Sequence, residues 1–407
     1  MRRLWLVTAL VTLAVAWPAS AASGAPGSLD PSFGKGGVVI TNGFGTPSRA
    51  ILQSNGDILV TVNSSTGGPS GVLRYLPDGS LDSSFGSGGF AAITSSTLLL
   101  EGVSGIALQS DGKILASSTA LTSNSGQSGV AVARLSSNGS PDASFGTGGI
   151  AFAAVPGGPS AAALVEEANG DILTGGSFLT ATYRSETTTG VVVRFTPIGR
   201  ADNTFGSGGV VSSTVLGGIQ TLGLDSSGDV FVLPSAAELS PTGAIDPSVA
   251  AATIVASSQG GPNAFLANGT SLRTTTAFIF KGNTEAETQR FLATGAVDSS
   301  FPTSEFHYVA GQTARDSADA IAVEPNGDIV VGGSHWFGNA VFGLARLTPG
   351  GILDSTFGSG GVLTTTVQGD ESVGTVLAQP NNEIVAVGFT ENNSTGVSGV
   401  ALARYFG

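Results

Sequence analysis

The stretch Leu81-Asp82-Ser83-Ser84-Phe85-Gly86, followed by Ser87-Gly88-Gly89 and an apolar run from Phe90, decides the fold because it is written more than once. It recurs as Leu29-Asp30-Pro31-Ser32-Phe33-Gly34 and again around Asp142, Asp202 and Asp354, each time ahead of a Gly-Gly pair and an apolar run. Two weaker copies complete the set. Ile245-Asp246-Pro247-Ser248 lacks the Phe-Gly, and Val297-Asp298-Ser299-Ser300-Phe301 lacks the Gly, which makes seven copies in all.

Two further landmarks repeat in step with the first. One is a turn ahead of a β-rich run: Asn55-Gly56-Asp57, Asp111-Gly112-Lys113, Asn169-Gly170-Asp171, Gly228-Asp229, Asn268-Gly269, Asn326-Gly327-Asp328 and Asn382-Glu383. Asn-Gly and Asp-Gly between apolar runs are strong hairpin signals, because both residues tolerate positive φ. The other is an arginine ending an apolar strand, at Arg74, Arg134, Arg194, Arg290, Arg346 and Arg404, with Glu238 in the fourth slot. Six intervals separate Arg74 from Arg404, so a unit is about 55 residues long.

Each unit reads as four short strands. In the second they are Gly105 to Gln109, Lys113 to Ser117, Gly129 to Leu135 and Gly149 to Ala153. No useful helical period appears after residue 21. Strands such as Gly190-Val191-Val192-Val193-Arg194 are apolar on both faces, as sheets sandwiched between sheets require. Seven copies of a four-stranded unit predict an all-β, seven-bladed β-propeller. The last unit reaches only its third strand at Ala403-Arg404-Tyr405-Phe406-Gly407, whereas Leu29-Asp30 and Gly37 to Ile40 read as a fourth strand without a unit. The N-terminal strand is therefore expected to complete the last blade and hide two sheet edges.

The opening residues carry a different message. Arg2 and Arg3, an apolar run from Leu4 to Trp17, Pro18 and Ala19-Ser20-Ala21 have the order of a secretory signal, with cleavage expected after Ala21. The run is shorter than the roughly 20 residues that cross a bilayer. The chain is thus read as residues 1–21, a signal peptide, and 22–407, a single domain exported to the periplasm or beyond the cell.

Composition narrows the function. Of 407 residues, 41% are hydrophobic and 11% charged, so the chain has the makings of a core and not of a disordered tail. A net charge of -13 offers no basic footprint for a phosphate backbone, and nucleic acid is excluded as an expected partner. No cysteine is present, which removes disulfides, thiol catalysis and thiolate metal sites, and only two histidines remain. No Gly-x-Ser-x-Gly elbow, Walker loop or His-Glu-x-x-His occurs. No cofactor is expected.

The repeat resembles the delta-60 repeat family of bacterial exported proteins, whose units read Leu-Asp-x-Ser-Phe-Gly-x-Gly-Gly, then a turn such as Asp-Gly-Lys-Ile-Leu, then an Ala-x-Ala-Arg-Leu strand. The resemblance covers residues 29–407, is strong around Asp30, Asp82, Asp142, Asp202 and Asp354, and is weak from about Leu233 to Phe306. It implies a propeller in a surface or secreted protein. The family carries no catalytic residues to transfer.

Residues repeated in nearly every unit are read as structural. Asp30, Asp82, Asp142, Asp202 and Asp354 cap turns, and Arg74, Arg134, Arg194, Arg346 and Arg404 are their candidate partners; the fourth unit, with Glu238, is expected to be the loosest. The turns offer one carboxylate each, too few for a calcium loop, and no metal is expected. Function is expected on the opposite face, where irregular connections such as Phe178 to Thr189 and Ser334 to Ala340 gather on a rigid scaffold. His307-Tyr308 and His335-Trp336 fall there in one unit, and Tyr183-Arg184 lies on the same face three units earlier. A tryptophan beside tyrosine and histidine fits a stacking surface for a sugar ring or peptide. The sequence therefore reads as a monomeric binding or adhesion scaffold for a surface glycan or protein. A propeller glycosidase or lyase using non-repeating acids, among them Glu101, Glu166, Glu167, Glu285, Glu287, Glu305 and Asp316, is the runner-up. An extracellular structural protein without a ligand is the third reading.

Overall fold

A computed structural model describes residues 24–407 apart from 65–66, 183–184, 247–253, 258–260, 267, 280–282 and 310–314. Among the described residues the chain is all-β, with one short 3-10 turn at Thr214–Leu216. Antiparallel four-stranded sheets recur along it. In the first repeat Thr46–Leu52, Ile58–Asn63, Gly71–Tyr75 and Phe90–Ala92 pair in sequence order. The third repeat does the same with Ser160–Glu166, Ile172–Thr182, Ser185–Phe195 and Val210–Ser213. Val38–Asn42 lies beside Val397–Tyr405, with Val38 opposite Ala403 and Asn42 opposite Gly399.

The fourth repeat departs from this pattern. Its strands Thr221–Asp225, Val230–Leu233, Ala237–Leu239 and Ile245–Asp246 are short, and Ile254–Ser257 adds to the free edge of the first of them. The fifth and sixth repeats are joined into one nine-stranded sheet by the two-residue strand Arg315–Asp316.

Several stretches that read as irregular loops are extensions of strands. Phe178 to Thr182 pairs with Ser185 to Thr189 at the outer end of a long pair of strands, residues 183–184 between them lying outside the described residues, and Ser334 to Ala340 forms a hairpin closed tightly at Gly338. The polar composition mimics a loop, but threonine is β-branched and favours the pleated backbone once a neighbouring strand is available.

The hydrophobic core lies between successive sheets. Ile51, Leu59 and Val72 of the first repeat pack with Ile106, Ile114 and Ala133 of the second. Val385 and Leu402 pack with Val60 and Leu73 of the first repeat. Val330 and Leu344 of the sixth pack with Val376 and Ala403. Both faces of a strand are therefore buried, as in Val191, Val192 and Val193, and this explains the low charge.

The repeated motif folds into a clamp between repeats. Asp82 accepts the Ser84 amide at 2.9 Å, closing an Asx turn, and accepts Arg74 Nε at 2.7 Å. The Arg74 guanidinium lies 4.4 Å from the Phe85 ring centroid and donates from Nη1 to the Ser137 carbonyl of the next repeat at 2.6 Å. The Gly86 amide donates to the neighbouring Asn138 carbonyl. Gly86 has φ +56, and a Cβ there would collide with the Phe90 carbonyl, so glycine is required. Arg134 joins Asp142 to Pro197 O, Arg194 joins Asp202 to Pro241 O, and Arg290 joins Asp298 to Pro349 O. Arg404 holds Asp30 across 374 positions and reaches Pro77 O. Arg346 pairs with Asp354 over Phe357, and the Gly358 amide reaches Pro26 O.

The clamps respond to pH in two directions. The Ser84 and Ser144 hydroxyls, working against burial and together with backbone and arginine donors, hold Asp82 and Asp142 below the ordinary carboxylate value. Such depressed groups stabilise the fold above the unfolded value near 3.8, and that contribution disappears as pH falls through the folded one. Glu324 is the reverse. It is 3% exposed, neither oxygen has a hydrogen-bond partner, and Arg346 Nη1 stands 3.8 Å away. Burial pushes its carboxyl up to about 7 against the pull of Arg346. Its stabilising contribution is full below about 4.5 and is lost as pH rises through 7.

Two outcomes follow from these contacts. Asp142→Ala, which leaves Arg134 buried without its carboxylate, is expected to destabilise the protein by about 3 kcal/mol in urea titration; an unchanged midpoint would show that the pair is ornamental. Glu324→Gln is expected to raise Tm at pH 8 relative to the parent, with the gap closing near pH 5. A lower Tm at pH 8 would mean that attraction to Arg346 outweighs burial.

Candidate functional site

The insertion between the fifth and sixth repeats places one buried carboxylate between both histidines. Arg315 pairs with Thr284 of the fifth repeat on one side and with Trp336 of the sixth on the other, and Asp316 is opposite His335. Asp316 is 1% exposed. Its Oδ2 lies 2.6 Å from His307 Nδ1 and its Oδ1 lies 2.7 Å from His335 Nδ1. Its backbone carbonyl accepts the Thr284 hydroxyl at 2.7 Å. An ionised carboxylate only accepts, so each ring turns a protonated Nδ1 toward Asp316. His307 Nε2 is 4.0 Å from Glu285 Oε2, beyond hydrogen-bond distance.

Trp336 stands outside this buried centre, near the tip of the hairpin Ile329–Phe337 and Asn339–Leu347. Trp336 is 42% exposed and Phe337 73% exposed, so neither folds back over the sheet. The Arg315 guanidinium lies 5.0 Å from the Trp336 ring centroid. This contact orients the indole while leaving part of it open to a ligand. Phe278, at the end of the neighbouring hairpin strand, is also exposed.

The remaining sequence candidates divide. Tyr308 is buried, meets Phe306 edge-on and donates its hydroxyl to the Ser317 carbonyl, with burial holding its phenol well above the ordinary value. It belongs to the core. Tyr183 and Arg184 lie outside the described residues. Arg315 was not anticipated at all, and Asp316 was one acid among several. Both fall in the unrepeated insertion, and that break from the repeat was the available signal.

Among the described residues, no three acidic or histidine side chains are grouped as metal ligands would be. Glu287 and Glu305 are Cα partners across adjacent strands, so two carboxyl residues face each other in register close in sequence to His307.

Three segments, residues 53–85, 109–145 and 324–357, match the family model described as "Domain of unknown function (DUF5122) beta-propeller". They run from the hairpin turn to the Asp-x-x-Phe motif, so the matched unit is the one that carries the clamp. No curated protein matches the chain in sequence. Solved structures similar to it include a luciferin-regenerating enzyme at 12% identity, with 91% of this chain and 96% of that one covered and a TM-score of 0.43. A protein of unknown function from Dyadobacter fermentans aligns at 11% identity over 90% and 98% of the two chains, with a TM-score of 0.43. An endo-arabinase from Bacteroides thetaiotaomicron aligns at 11% over 89% and 94%, with a TM-score of 0.33. What these proteins act on is a property of those proteins.

Asp316→Ala removes the acceptor shared by His307 and His335 and is expected to cost about 2 to 4 kcal/mol in chemical denaturation. Glu285→Gln, which breaks no hydrogen bond to His307, is expected to stay within about 0.5 kcal/mol. Equal effects from the two would contradict the central place of Asp316.

Proposed function

We propose that the chain is an exported, single-domain, seven-bladed β-propeller that binds a surface glycan or protein through its hairpin face. Residues 1–21 are its cleaved signal, residues 22–407 its domain, and it works as a monomer in the periplasm or outside the cell. The seven copies of the Leu-Asp-x-Ser-Phe-Gly motif support the blade count, and the pairing of Val38–Asn42 with Val397–Tyr405 supports closure by the N-terminal strand. The delta-60 resemblance agrees with this reading. No helix among the described residues is long and apolar enough to cross a membrane.

The observation that carries the binding role is Trp336, an indole held by Arg315 and left partly open at a hairpin tip. Such a ring offers apolar area at low entropic cost to a sugar face or an aromatic side chain. His335, its neighbour in the strand, is tied through Asp316 to His307, and a strand fixed in this way reduces what binding must order.

Trp5 and Trp17 fall within the proposed signal, so Trp336 is the reporter of the exported chain. Its emission is expected to shift and saturate on titration with soluble cell-wall glycan fragments or peptides. Trp336→Ala is expected to weaken binding at least about tenfold while leaving Tm unchanged. Emission that never moves across such a panel removes the support for this face. The facing pair Glu287 and Glu305 favours a second reading, carboxylate-dependent glycan cleavage; shortened glycans in the same incubations, abolished by Glu287→Gln, would select it over binding alone.

A further inference from the structure

Arg49 is the one described arginine that is neither exposed nor paired with a carboxylate. Every aspartate and glutamate of the chain falls among the described residues, and none forms an ion pair with it. Its Nη1 donates to the Ser48 carbonyl at 3.2 Å, a contact within its own strand. Burial lowers the pKa of the guanidinium, with neither an acid nor a second cation adding to the effect. The clamp arginines differ, since each rests on an aspartate, as Arg134 does on Asp142 at 2.9 Å.

The backbone holds this side chain at a defined place. Ser48 and Arg49 form a bulge opposite Thr61, whose buried hydroxyl accepts the Arg49 amide at 2.9 Å and donates to the Arg49 carbonyl at 3.2 Å. The first strand of each repeat touches that of the next, and Asp370–Ala378 touches Thr46–Leu52. In the ring proposed above, these strands surround one axis. Arg49 reaches across it from the first repeat: its guanidinium lies against Gly261, just ahead of the fifth repeat's strand Asn263–Phe265, where a Cβ would stand 2.9 Å from Nη2. Residues 258–260, outside the described set, carry no charge.

The same layer is otherwise built from small residues. Each hairpin turn opens on a residue whose amide bonds the carbonyl four positions on, as Gln53 does with Asp57 and Glu324 with Asp328. Four positions before that residue stands Arg49 in the first repeat, and Gly105, Ala163, Thr221, Pro262, Ala320 and Thr375 in the other six. At Gly374, which occupies the bulge of the last repeat as Ser48 does that of the first, a Cβ would meet nothing within 4 Å. Open space therefore adjoins the axis at this level. Asp319, in the matching place of the sixth repeat, turns to the Ser317 and Ser372 hydroxyls at 2.6 and 3.4 Å and not to Arg49. A guanidinium withdrawn from water without a counter-charge costs stability, and an anion beside it offsets that cost. One cation with no second beside it matches one negative charge, and its planar fork matches the two oxygens of a carboxylate. A phosphate dianion would keep a charge unmatched.

We propose that Arg49 is an anion receptor on the axis of the propeller, taking a small monocarboxylate in its guanidinium fork. The proposal rests on the closed ring read above and is independent of the Trp336 face. The probe is acetate, with acetamide as its neutral isostere and chloride holding the ionic strength constant. Acetate is expected to raise the Tm of the parent, by about 2 °C or more at the highest concentrations, whereas acetamide leaves it unchanged; Trp336→Ala keeps the acetate response. Arg49→Gln is expected to abolish the response without lowering Tm in chloride, and Arg49→Lys, which keeps the charge and loses the fork, to weaken it at least about tenfold. Equal effects of acetate and chloride on the parent, or an Arg49→Gln chain that still responds to acetate, would overturn the proposal. A markedly lower Tm of Arg49→Gln in chloride would show that the guanidinium is a strut between the first and fifth repeats, and the proposal would fall. If Arg49→Gln fails to fold, an undiminished acetate response by Arg49→Lys would overturn it equally.

Discussion

The structure depends on a guanidinium that is asked to satisfy several groups at once. Each clamp arginine pairs with the aspartate of its own repeat and lies over that repeat's phenylalanine, and most also donate to a carbonyl of the next repeat. The contacts are mostly buried, so the charge is compensated locally and the desolvation cost that makes isolated buried ions unfavourable is met by fixed partners. A repeat with two apolar faces cannot stand alone in water; it needs a neighbour on each side. Hydrophobic packing supplies the attraction between sheets without specifying their offset. The arginine-to-carbonyl bond supplies the offset.

This division of labour explains why so much of the fold could be read from the chain. Asp82, Phe85, Gly86 and Arg74 each have a local chemical reason to be what they are, and those reasons recur at fixed spacing. The turn glycines and the paired charges were therefore visible as patterns. The hairpin extensions were not, because Phe178 to Thr189 and Ser334 to Ala340 have loop-like composition, and only cross-strand pairing makes them strands. The candidate site was half legible. Both histidines and Trp336 stood out as rare residues, but their meeting on Asp316 depends on a two-residue strand bridging two repeats, which no periodicity reports. Tyr308 shares the sequence neighbourhood of His307 and points into the core instead.

The departures from the repeat cluster in space as well as in sequence. The fourth repeat loses its arginine and its Phe-Gly and shortens its strands, and these changes weaken one seam together. One repeat further on, the Arg315–Asp316 strand welds the fifth sheet to the sixth. The same region thus contains a seam without a clamp and a seam with an additional one. An architecture made from one rule leaves room for specialised chemistry where the rule is suspended and the neighbouring repeats still hold the frame.

Hydrogen exchange followed by mass spectrometry, resolved by repeat, tests the central role of the clamp most directly. The account predicts that residues 233–246 and 291–297, which flank the unclamped seam, exchange well before the matching segments 75–82, 135–142, 195–202 and 347–354. Equal protection at all of these segments, or earlier exchange at the clamped ones, would contradict the claim that the arginine bridges hold the repeats in place.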